Sequence, residues 1–133
     1  MAKIAFIIFA VLLAGVVILI GPFLSPALKS RGQIRALQSR SDYPQIATAC
    51  VTLARSVTNH SRIKPSDPRV PPLLRALSPR YITADSNSVT MEFHGGFNHY
   101  GYRVEQSDGN ANLWRIYWYF EKNQRLLSTI SHD

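Results

Sequence analysis

Cysteine is almost absent: Cys50 is the only one in 133 residues, so no disulfide forms within the chain and the fold must be held by packing alone. Acidic residues are scarce too, eight against 15 Lys and Arg, and none precedes Asp42. No glycine-rich loop leads into a helix with Lys-Ser/Thr behind it, which excludes the usual phosphate cradle; Gly95-Gly96 falls between strands. No Ser occupies a strand-to-helix elbow, so the common acyl-transfer arrangement is missing. Internal repeats and low-complexity stretches are absent. Most telling, polar side chains are missing from Ile4 to Ile20, and charge is missing from Ile4 to Leu28.

What fills that gap is a hydrophobic run. At about 1.5 Å per residue, a helix from Ile4 to Leu24 extends roughly 30 Å, the thickness of a bilayer's hydrocarbon core. Residues 1–28 are therefore expected to be an uncleaved, single-pass anchor. The competing reading is a cleaved signal, with Lys3 and the amino terminus as its basic start and Ser25-Pro26-Ala27 as a small-residue site. Its apolar core would be longer than the roughly 7–15 residues of such signals. Lys29, Arg31, Arg35 and Arg40 follow the span, against Lys3 before it, and this asymmetry favours a cytoplasmic domain over an exported one.

Charge is unevenly spread. From Lys29 to Arg80 ten basic residues face two acidic ones, net +8, whereas Tyr81 to Asp133 carries net −2. Basic residues beside a membrane are drawn to anionic headgroups by about 1 kcal/mol each. The sequence thus assigns Lys29, Arg31, Arg35 and Arg40 to the lipid surface, as a basic connector over residues 29–41. The same charge would attract nucleic acid, a partner that tethering to lipid argues against.

Residues 42–133 have the length of one domain. Pro22 and Pro26 are expected to end or kink the span helix. A second helix is expected from Asp42 as N-cap, with Pro44 in its first turn and Ile46, Cys50, Leu53 and Val57 as one buried stripe. Pro71 to Leu77 reads as one or two further helical turns. From Tyr81 the period becomes two, marking strands at 81–84, 89–94, 99–105, 113–121 and 125–130. Opposing His94 to His99 sets Phe93 against Tyr100, Met91 against Tyr102 and Val89 against Val104, with Thr90, Glu92, Arg103 and Glu105 on the other side. The expected fold is α+β: one main helix packed on an antiparallel meander of about five strands.

Four features bear on function. His94 and His99 flank a loop rich in glycine, where Gly95, Gly96 and Gly101 suit unusual backbone angles. With Glu92 and Glu105 they are a conceivable metal set, but zinc wants three or four converging ligands, and neither metal nor cofactor is expected. Cys50 lies on the apolar stripe, as a small buried hydrophobe. Tyr117 and Tyr119 stand opposite Trp114 and Trp118, so the sheet has aromatics on both faces; either the Pro71–Leu77 segment covers them or they meet a partner. Asn59-His60-Ser61 matches a glycosylation sequon, a pattern common by chance. The sequence points to a non-catalytic accessory or scaffold subunit of a membrane complex, with a protein partner at Tyr117, Tyr119, His94 and His99. The alternative is an exported ligand- or metal-binding domain, or an enzyme, centred on the His94–His99 loop. A structural component assembling through its N-terminal helix is a third class.

Overall fold

The computed structural model describes the backbone of residues 2–95 and 98–133, and the side chains of these except residues 2, 23, 25–27, 94 and 95. Its first element is α1, Ala2–Gln38, a helix of 37 residues. Lys3–Pro22 within it is long and apolar enough to cross a membrane, and none of that window is buried against the rest of the protein.

Of the two outcomes expected at Pro22 and Pro26, an end or a kink, α1 does not take the first: it runs through both. Each proline removes one amide donor and crowds the carbonyl four residues back. Hydrogen bonds on either side continue the helix past both, so residues 29–38 are its direct extension. Ile34 and Leu37 turn toward the domain core, where Leu37 is buried.

A short link then leads to α2, Tyr43–Arg55. Its buried side is the predicted stripe of Ile46, Cys50 and Leu53, widened by Ala47, Val51 and Ala54 and continued by Val57 past the helix end. Asp42 occupies the N-cap position but makes no side-chain cap. Arg40 takes its carboxylate through two hydrogen bonds, Nε to Oδ1 at 2.8 Å and Nη2 to Oδ2 at 2.7 Å. A bidentate, charge-assisted pair outcompetes a single neutral amide donor.

Six strands form one antiparallel meander in chain order: β1 Ser61–Ile63, β2 Tyr81–Ala84, β3 Ser88–Gly95, β4 Asn98–Ser107, β5 Asn110–Phe120 and β6 Asn123–Ser131. The sheet thus has one strand more than about five. β1 is three residues pairing only with β2, too short to show an alternation. Between β2 and β1 in sequence lies α3, Pro72–Ala76, with Leu74 buried. The β3–β4 register is the expected one, with His94 opposite His99, Phe93 opposite Tyr100 and Met91 opposite Tyr102. The intervening Gly96 and Phe97 lie outside the described residues.

Two turns show their chemistry. Asp108-Gly109 joins β4 to β5 with Gly109 at φ +76°, a left-handed conformation that glycine adopts without steric cost. Glu121-Lys122 joins β5 to β6, one residue earlier than the expected Lys122-Asn123-Gln124, and Glu121 takes a positive φ of 53°. That conformation is disfavoured for a side chain with a Cβ. The Glu121 carboxylate accepts the His99 amide at 2.9 Å, which holds it there.

All three helices lie on one side of the sheet. Their buried residues join Met91, Phe93, Tyr100, Tyr102, Val104, Trp114, Ile116 and Trp118 in a single core. The α3 segment contributes Leu74 to this core and does not cover Tyr117 and Tyr119, as it would have done in a two-layered cover.

Candidate functional site

Because successive strand residues alternate faces, the side of the sheet away from the helices is set by register. One row across it runs Tyr81, Glu92, Gly101, Tyr119, Gln124; the next runs Arg62, Thr83, Thr90, Arg103, Tyr117, Leu126. Among the described residues no helix packs on this face. Tyr81, Tyr117 and Tyr119 are half-buried on it, and Leu126 is exposed.

Glu92 is the centre of the first row. Its side chain is only 16 % exposed, and it accepts from His99 Nδ1 at 2.8 Å. A carboxylate has no proton to give, so that ring nitrogen carries one. The hydrogen bond and the carboxylate's charge raise the His99 pKa above its ordinary value. Tyr81 also donates to Glu92, which raises the phenol's pKa. The Arg62 guanidinium lies 3.8 Å from the centre of the Tyr81 ring, a cation–π contact.

Tyr119 sits one strand further on, over Gly101. A Cβ on Gly101 would come within 1.8 Å of the Met91 carbonyl oxygen and 3.2 Å of Tyr119 Cε1. Gly101 is therefore required for space, and not for the unusual backbone angle expected from sequence. Burial raises the Tyr119 pKa, with the charge of Glu92 acting in the same direction. The site is a flat tyrosine platform with a half-buried carboxylate and a rim of arginines, Arg62, Arg103 and Arg115. Glu105 approaches Arg103 at 4.0 Å.

Of the predicted partner residues, the structure brings Tyr117, Tyr119 and His99 to this one face. The His94 ring lies outside the described residues, although its backbone pairs with His99. Arg62 was missed because β1 is three residues long and Ser-Arg-Ile carries no periodic signal; Tyr81 was placed on its strand, 81–84, but its pairing beside Glu92 shows only in the sheet. Among the described residues, no three His, Cys, Asp or Glu are grouped to hold a metal ion. Cys50 is fully buried, and burial pushes its thiol well above the ordinary range. A shallow depression on α2, lined by Pro44, Gln45, Thr48 and Ala49, bears no titratable group.

The basic connector resolves into two parts. Lys29, Arg31 and Arg35 lie on α1 and are exposed. Arg40 lies past its end, bound to Asp42, within the domain. The junction is fastened by tyrosines: Tyr102 donates its hydroxyl to the Leu37 carbonyl. Tyr43 donates to the Gln38 carbonyl at 2.7 Å, and Tyr100 to Gln33 Oε1 at 2.8 Å. The Tyr102 and Tyr43 hydroxyls satisfy carbonyls at a helix end that lack partners within the helix. No known protein family, curated protein or solved structure matches this chain.

Proposed function

We propose that this chain is a non-catalytic, single-pass membrane protein whose α+β domain binds a protein partner through the outer sheet face, as an accessory or scaffold subunit of a membrane complex. One observation carries the reading: Tyr81, Tyr117 and Tyr119 lie on a sheet face that no helix of the described chain covers. Tyrosine is amphipathic and loses little freedom on binding, which is why interfaces favour it. The rim of Arg62, Arg103 and Arg115 suits an acidic partner surface. Non-catalytic action is supported by the burial of the Cys50 thiol and by the use of Glu92 as an acceptor for Tyr81 and His99.

In this reading α1 spans the bilayer, Lys29, Arg31 and Arg35 emerge into the headgroup region and beyond, and their excess over Lys3 favours the cytoplasmic side. Arg40 contributes to the basic surface while bound to Asp42. The test is co-purification of the detergent-extracted full-length protein. A Tyr117→Ser/Tyr119→Ser variant that keeps its fold is expected to lose a partner held at fixed stoichiometry by the wild type; retention of that partner would refute the assignment.

A further inference from the structure

Beside the Tyr81 and Arg62 rows of the outer sheet face runs a third row, Asp85, Ser88, Glu105, Arg115, Thr129. Asp85 belongs to it because its amide donates to the Ser88 carbonyl at 2.9 Å. Six strands in chain order make the face symmetric about the line between β3 and β4. A half-turn about an axis parallel to the strands, standing over that line, sets a second copy face to face with the first and keeps every row at its level. β1 then lies over β6 of the second copy, β2 over β5 and β3 over β4.

The face is complementary to itself in this arrangement. In the first row Tyr81 meets Tyr119 and Glu92 meets Gly101; in the second Arg62 meets Leu126, Thr83 meets Tyr117 and Thr90 meets Arg103. In the third Ser88 meets Glu105, and Asp85 meets Arg115, an opposite-charge pair that the symmetry forms twice. No like charges oppose each other in these rows. Moving the axis over β4 would set Arg103 against Arg103 and Glu105 against Glu105, and moving it over β3 would set Glu92 against Glu92, juxtapositions that cost affinity.

The course of α1 selects the same symmetry. Tyr102 reaches Leu37 and Tyr100 reaches Gln33. Two strand residues cover about 7 Å and four helix residues about 6 Å, so α1 runs along β4. An axis parallel to the strands leaves both α1 helices pointing the same way, as two spans entering one bilayer from one side must. Antiparallel pairing of two β6 edges would point them in opposite directions.

We infer that the occupant of the outer sheet face is a second copy of this chain, packed sheet to sheet about a two-fold axis parallel to α1. The inference rests on that face being a partner site and names the partner. Aligned sheets pack about 10 Å apart, with α1 on the far side of each, so the domains make the contact and the spans do not.

The experiment uses two differently tagged copies of the full-length protein, co-expressed and extracted in detergent, with single cysteines joined by a short bismaleimide; Cys50 is buried. Thr90→Cys, next to the axis, is expected to join to itself. Leu126→Cys is expected to join to copies carrying Arg62→Cys and not to copies carrying Leu126→Cys. Adding Tyr117→Ser/Tyr119→Ser to Thr90→Cys should reduce the joined product several-fold. Leu126→Cys joined to itself would signify edge pairing and overturn the face-to-face arrangement. Copies that neither co-purify nor join, while a different protein stays at fixed stoichiometry and is lost with Tyr117→Ser/Tyr119→Ser, would overturn the second copy as occupant and leave the face a partner site. Finding neither self-association nor such a protein would overturn both.

Discussion

Gly101→Ala is the sharpest test of the outer-face geometry. The added Cβ would lie 1.8 Å from the Met91 carbonyl oxygen, an atom of the neighbouring backbone. Relief requires β3 and β4 to part by more than about 1 Å, which stretches the adjacent ladder bonds past the roughly 3.2 Å limit of a good N–H···O contact. Loss of one or two such bonds costs about 0.5–1.5 kcal/mol each, and overpacking adds about 1–3 kcal/mol. We expect a total near 3 kcal/mol, a fall in Tm of roughly 12–24 °C for a domain of about 100 residues. Near-ultraviolet circular dichroism on the detergent-solubilised protein reads the transition through Trp114 and Trp118, which sit in the core. Adding Tyr119→Ala should not restore stability, because the ring at 3.2 Å can yield whereas the carbonyl at 1.8 Å cannot. A Gly101→Ala protein melting within about 2 °C of wild type would refute the reasoning.

Two further outcomes follow from the junction and from the carboxylate. Tyr102→Phe removes the hydroxyl on the Leu37 carbonyl and should destabilise by about 1 kcal/mol, with faster hydrogen exchange in residues 34–39; unchanged exchange there would count against the junction. His99 should titrate above its ordinary value by NMR because Glu92 favours its protonated form. Its contribution to stability is therefore complete below the ordinary His range and is lost as pH rises through the raised folded pKa. Glu92→Gln should lower that pKa, and an unshifted titration would show that the pair does not form in solution.

Local pattern carried much of the architecture. Period-two alternation on both sides of the His94–His99 loop fixed the hairpin register, since a one-residue slip would have turned Phe93, Met91 and Val89 to solvent. The spacing of Ile46, Cys50, Leu53 and Val57 gave the buried face of α2. Where the signal was short or competed for, it failed: β1 has three residues, and Asp42 looks like a cap until Arg40 is seen beside it. The outer face was half legible, through Tyr117 and Tyr119 on the long β5, while Arg62 lies on a strand of three residues and the place of Tyr81 beside Glu92 depends on the pairing of β2 with β3.

The sequence by itself determined that a charge-free apolar helix comes first, that a single core without disulfides follows, and which face of each long strand is buried. These are consequences of composition and of periods of 2 and 3.6 residues, which act over a few neighbours. Only the tertiary structure decided that α1 continues past Pro22 and Pro26 into the domain, that Tyr102 meets Leu37 across 65 residues of sequence, and that Tyr100 meets Gln33 one helical turn nearer the apolar run. Such contacts depend on where the whole sheet sits against the helix, and no local pattern encodes that placement.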